Sequence, residues 1–370
     1  MSQPSWFQRY LLPGFAFKAV VIGGGYATGR ELAEFFLPSG PWGGLMAIAL
    51  ATAIWSAVCV ATFLFARATG SEDYRTFFRN LLGPFWGVFE AAYAIFIVLI
   101  LAVFGAAAGA IGEAVLGWPP LVGALCLTVG IAGFVTFGNT AVERLFKYVS
   151  FFLYGVYALF VILAFSRFGD RIAAGFATPA PIDGWALGGL TYASYNIIGA
   201  VVILPVVRHM TNRRDAVVAG LLAGPLAMIP AALFFICMVA YYPQIGSEAL
   251  PSDFLLQRLN FPAFHVAFQL MIFAALLESG TGAVHAINER LAHVWTQRRG
   301  GDFPHRWRLA VAGVLLVGSI FIADRFGLVT LIAKGYRLLA WMFLAVYVAP
   351  LMTWGVWRLW KGHAPRVATV

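Results

Sequence analysis

With 370 residues, 61% of them hydrophobic and 11% charged, and a mean hydropathy of +0.83, the chain is excluded from the soluble globular proteins. Its net charge of +9 is spread over separate loop ends rather than gathered in one aromatic-studded patch, which argues against a nucleic-acid partner. Cys59, Cys126 and Cys237 stand apart in apolar runs without ligand spacing, and there is no HExxH, GxSxG or phosphate-cradling glycine loop, so disulfide framework, zinc site and enzyme chemistry all lack a constellation.

A spanning helix needs about 20 mainly apolar residues. Ten such segments are predicted, near residues 8–36, 41–66, 84–116, 119–138, 145–166, 184–207, 215–241, 262–289, 308–323 and 328–357. The fold class is therefore all-α integral membrane. No cleavable leader is expected, because the first apolar run passes straight into a broken helix without a small-residue cleavage pattern.

That break is the most informative feature. Gly23, Gly24 and Gly25 interrupt segment one and are followed by Tyr26, Ala27, Thr28, Gly29, Arg30, Glu31 and Glu34. Unwinding a helix in lipid strands peptide groups at several kcal/mol each, so it is tolerated where they face protein, water or a ligand. Close helix packing is the alternative, but it leaves the polar residues of the next turn unexplained. In segment three, the run Gly105 to Gly109 reads as a packing face. Segment six is interrupted by Thr191, Tyr192, Ser194, Tyr195 and Asn196, with Gly199 and Pro205 following. The gap at about 242–261 holds only an amphipathic stretch. Segment eight carries Glu278, Ser279, Gly280, Thr281 and Gly282, and a carboxylate at mid-membrane is a functional hypothesis by default.

Ten spans divide as five plus five. Because five is odd, the second set enters the membrane from the opposite side, giving a 5+5 inverted repeat (1–166 and 183–358) with helices one and six broken at corresponding places. Of the 25 Lys and Arg, 17 fall on the loop ends that share a side with the N-terminus, which places both termini in the cytoplasm of a bacterial inner-membrane protein.

The stretch Ile22-Gly23-Gly24-Gly25-Tyr26-Ala27-Thr28-Gly29-Arg30-Glu31, with Phe35-Phe36 after it, resembles the first helix of the YkvI-like family of bacterial inner-membrane proteins. The pattern there is roughly G-x-G-F-A-S/T-G-Q-E before an aromatic pair. The chain departs from it at Gly24, Tyr26 and Arg30. That family is similar to the amino acid-polyamine-organocation superfamily, and the resemblance implies the LeuT-type fold and a transporter.

On that reading the half-helix beginning near Tyr26 offers free N–H groups to a substrate carboxylate, while carbonyls around Val21, Ile22 and Gly23 suit an amine or small cation. The substrate site is then Gly23, Gly24, Gly25, Tyr26, Ala27, Thr28, Tyr192, Tyr195, Asn196 and Gly199. The resemblance further implies a sodium ion between the first break and helix eight, with Val21, Ile22, Glu278, Ser279 and Thr281 as its surroundings. Glu278 equally suits a proton, and Lys18 or Lys147 a fixed or titrating charge in the cation's place. His265 and His285 read as hydrogen-bonded helix residues or as proton relays. Arg30, Glu31 and Glu34 are expected at an outer gate, facing Lys334, Arg337 or Asp324 on segment ten. An ion-coupled secondary transporter of a small amino-acid-like or organic-cation solute, coupled to Na+ or H+, is the leading function. A membrane sensor or accessory subunit on the same fold is the alternative. Partners are a small-molecule solute and the lipid bilayer, and no cofactor is expected. Oligomeric state and substrate identity are not fixed by the sequence.

Overall fold

The structure is a computed structural model describing residues 4–137 and 139–361, with the side chains of 137–151, 297 and 298 outside the description. Segment one is three short helices after a wide first turn at Phe7–Leu11: α1 (Leu12–Val21), α2 (Gly24–Ala27) and α3 (Arg30–Phe35). Then come α4 (Gly40–Thr69), α5 (Tyr74–Leu82), α6 (Trp86–Leu116), α7 (Pro120–Phe137) and α8 (Asn139–Ala177). Segment six is split into α9 (Trp185–Asn196), α10 (Gly199–Val202) and a tight turn at Leu204–His209. After it follow α11 (Arg213–Val239), α12 (Pro251–Leu259), α13 (Pro262–Arg299) and α14 (His305–Thr330).

The 30 residues of α4 make a rod about 45 Å long, more than the hydrocarbon core of a bilayer. It ends where Gly70 turns left-handed at φ 64°, and α6 ends in the same way at Gly117, φ 66°. The stretch His305–Trp360 has 56 residues, too many for one crossing. It turns at Gly327 (φ 69°, ψ 166°) and returns through α15 (Arg337–Phe343) and α16 (Val356–Trp360), with π turns at Leu331–Tyr336, Leu344–Val348 and Leu351–Gly355.

The centre of the bundle is the pair α4 and α11, with α1 lying along α11 and α9 along α4. Small residues let that pair approach: a Cβ on Gly220 would stand 2.6 Å from the Val60 backbone. The predicted packing role of the segment-three glycines holds at Gly109, where a Cβ would stand 2.5 Å from the carbonyl of Pro120 on α7. Cys59 and Cys237 are buried, whereas Cys126 is exposed.

Hydrogen bonds mark the two ends. At one, the Arg67 guanidinium donates to the Thr211 carbonyl and Arg358 to that of Asn80. At the other, Ser39 donates to the Asp183 carbonyl and the Trp42 indole to that of Phe176.

Candidate functional site

Segment one breaks twice. The first break lies at Ile22 (φ −73°, ψ 84°) and Gly23, so Gly24 and Gly25 already belong to α2 and the half-helix starts before Tyr26, a correction to the expected position. The second lies at Thr28 and Gly29, where φ is 78°. A left-handed φ is free for glycine and costly for other residues, which is why a second break falls here. The stranded groups are satisfied locally: the Thr28 hydroxyl donates to the Gly25 carbonyl at 2.9 Å, and the Gly29 N–H to that of Tyr26 at 3.0 Å.

This second break swings α3 to a new direction, and Glu31 folds back over α2. Its Oε1 rests so close to the Cα of Gly25 that any Cβ there would overlap it. Its Oε2 accepts the Tyr195 hydroxyl at 2.5 Å. Tyr195 comes from α9, so the two broken segments meet on one buried carboxylate. Glu31 is therefore not an outer-gate residue, contrary to the expectation from sequence.

Aromatic rings close around this contact. The Tyr195 ring lies 4.4 Å from that of Tyr336 and 5.7 Å from that of Tyr192, and Tyr192 packs at 4.6 Å on Phe36. The Tyr192 hydroxyl is buried without a hydrogen-bond partner among the described residues. Two predicted substrate residues play local parts instead. Asn196 donates back to the Tyr192 carbonyl at 3.2 Å, and Gly199 gives room to Phe17, whose ring would stand 3.0 Å from a Cβ.

Below the first break lies a cavity of about 340 Å3, bordered by Ile22, Phe104, Tyr154, Glu278, Ser279 and Gly282. Phe104 also packs against Gly23, with its ring 3.4 Å from where a Cβ would be. A neighbouring cavity of about 360 Å3 shares Ile22 and Tyr154 and adds Lys18, Tyr26 and Ala27. Lys18 holds its ammonium 4.2 Å from the Tyr154 ring centre. Among the described residues no hydrogen bond or ion pair reaches Glu278. Of the predicted ion-site residues, Ile22, Glu278 and Ser279 line the first cavity, while Val21 is core and Thr281, fully buried with an unpartnered hydroxyl, lines neither. The side chain of Lys147 lies outside the described residues. His265 is a hydrogen-bonded residue, 2.6 Å from Asp253.

The site is closed at one end and open at the other. Arg30 donates to the carbonyls of Gly246 and Glu248, each at 2.8 Å, and pairs with Glu34 at 3.0 Å. The Ser252 N–H adds a bond of 2.9 Å to the Thr28 carbonyl. Arg30 and Thr28 are thus tied to the linker between α11 and α13. Lys334, Arg337 and Asp324 on segment ten are exposed and take no part, which corrects that expectation. A pocket of about 470 Å3 beside this linker, with Glu113, Glu248 and Asp253 on its wall, shares no lining residue with the central cavity. Toward the other end, a vestibule of about 570 Å3 shares Tyr93 and Val202 with the central cavity. There Arg290 lies between the rings of Tyr74 and Tyr93, 4.0 and 3.5 Å from their centres. Arg9 binds Asp215 at 2.7 and 2.9 Å, tying the N-terminal turn to α11.

No family model matches the chain. It is 23% identical over 337 residues to the uncharacterized membrane protein YkvI of Bacillus subtilis (strain 168), covering 90% of this chain and 92% of that one. Among solved structures it is similar to MhsT in complex with L-phenylalanine (TM-score 0.58, 17% identity, 98% of this chain and 97% of that one). It is also similar to a Na+-coupled sialic acid symporter in its substrate-bound outward-open state (TM-score 0.60, 14% identity, 96% and 82%). A manganese transporter of Eremococcus coleocola gives a TM-score of 0.56 at 15% identity over 96% and 84%. The chain shares the all-helical fold of these transporters, with its broken first helix at the centre.

Proposed function

We propose that this protein is an ion-coupled secondary active transporter that moves a small amino-acid-like or organic-cation solute by alternating access, not an enzyme. The observation that carries this reading is the placement of the central cavity: it abuts the first break, is walled off at one end by the Arg30 seal, and continues into a vestibule at the other. A route open at one end only is what alternating access requires of any single state. The likeness in fold to solved transporters supports it. With both termini in the cytoplasm of a bacterial inner membrane, the vestibule faces inward. The halves 1–166 and 183–358 form the inverted repeat, and the matched packing of α1 on α11 and α9 on α4 supports that pairing.

Coupling is assigned to Glu278, and the geometry favours a proton. Thr281 lines neither cavity, which takes away one of the two hydroxyls a sodium ion would use.

Uptake into proteoliposomes tests both parts. An inwardly directed proton gradient is expected to drive accumulation without sodium, and Glu278→Gln to lose accumulation while keeping solute exchange. Accumulation that needs a sodium gradient, and is slowed by external acid, would instead assign sodium to this centre. Binding without any exchange would mean a sensor or accessory subunit.

A further inference from the structure

Given the transport reading, which this inference rests on, the question is what the site recognises. A carboxylate was expected from the solute, at the start of the half-helix after the break. The chain supplies one itself. Glu31 is 3% exposed, covers Gly25, and receives the Tyr195 hydroxyl.

No cation answers it. Among the described residues no Lys, Arg or His lies within ion-pairing distance of Glu31: Arg30 turns outward to Glu34 and two carbonyls, and Lys18 lies on Tyr154. A carboxylate buried without a counter-charge is costly, so the group takes up either a proton or a cationic partner that comes and goes. The walls around it are aromatic. Tyr192, Tyr195 and Tyr336 are all buried, from two different segments. Ring faces attract an ammonium group, and a carboxylate among them adds a charge-assisted hydrogen bond. A solute carboxylate meets the reverse conditions, because it would be brought beside a like charge at low dielectric.

We infer that the transported solute is an organic cation without a carboxylate of its own, with Glu31 as its counter-charge and the Tyr192, Tyr195 and Tyr336 rings as its box. Entry is through the central cavity, whose wall residues Ile22 and Phe104 border the first break, with Phe104 packed against Gly23 two residues before Gly25. The arriving ammonium takes the place of the Tyr195 hydroxyl on Oε2, so that binding loosens the contact between the two broken segments.

Matched pairs that differ by one carboxylate test this on the purified full-length protein: phenethylamine against L-phenylalanine, isoamylamine against L-leucine, and cadaverine against L-lysine. Melting-temperature shifts over a concentration series give each apparent affinity. The amine of at least one pair is expected to bind about tenfold or more tightly than its amino acid, and Glu31→Gln to abolish that preference. Glu31→Asp, which keeps the charge if Gln impairs folding, is expected to retain it in part. An amino acid bound as well as or better than its amine, no binding by any of the amines, or a Glu31→Gln variant that melts lower yet keeps the wild-type ratio overturns the inference. Transport is read separately. Amines that bind but show no counterflow in proteoliposomes remove the transporter reading alone, whereas accumulation of the amino acids and not the amines removes this inference alone.

Discussion

Gly25 and Glu31 are one unit, because the carboxyl group fills the space that any other side chain at 25 would need: a Cβ there would lie 2.8 Å from Glu31 Cγ. Gly25→Ala is therefore expected to abolish solute uptake while membrane insertion persists. Gly23→Ala, whose Cβ would only touch the Phe104 ring at 3.4 Å, should keep most of it. Contacting residues couple by about 0.5–3 kcal/mol, so Gly25→Ala combined with Glu31→Ala should be no worse than Glu31→Ala alone. Additive losses in that cycle of binding measurements would separate the two residues. The glycines, the tyrosines of segment six and Glu278 were legible in the sequence, since polar or flexible residues in an apolar run stand out. The place of Glu31 was not. Counting along one helix puts it beyond the break and near the surface, but the left-handed turn at Gly29 redirects α3, and a turn of that kind has no period to read.

At the scale of elements, two ties hold the broken segment. The outer one is Arg30, 5% exposed, on the carbonyls of Gly246 and Glu248. Truncating it strands buried acceptors at about 1–3 kcal/mol, so Arg30→Ala should favour the state open at that end. A cysteine placed at Ala27, in a background without Cys59, Cys126 and Cys237, should then react faster with an impermeant maleimide added outside; an unchanged rate would deny the seal. The inner tie is Arg9 to Asp215, whose side chain is fully buried and also accepts from Tyr10 and Thr211. Removing one partner of a buried pair costs about 3–5 kcal/mol, and the outer edge of this one is wet, so Asp215→Asn should lower the melting temperature, with a loss of stability at or below that range. The gate partner on segment ten was misread, because Arg30 bonds instead to the Gly246 and Glu248 carbonyls of a linker distant in sequence.

For the whole molecule, sealing at one end and a vestibule at the other predict sided access. If both termini are cytoplasmic, as proposed, a cysteine at Ser279 should be labelled by an impermeant reagent much faster in inside-out vesicles than in right-side-out ones, and equal rates would contradict an inward-facing state. The all-helical, apolar character was legible because lipid demands long apolar helices; which end is open was not, since that depends on a few hydrogen bonds between distant loops. One feature reaches further. The two breaks of segment one leave α2 as a separate link, joined at Ile22–Gly23 to an arm anchored by Arg9 and at Thr28–Gly29 to an arm anchored by Arg30. An unbroken helix transmits every movement of one arm to the other. A chain with two pivots lets each arm move while its counterpart stays fastened, so a damaged fastening at one end does not by itself release the other. On the proposed transport function, leakage straight through the protein then takes two independent faults, and single substitutions that open a continuous pore should be rare.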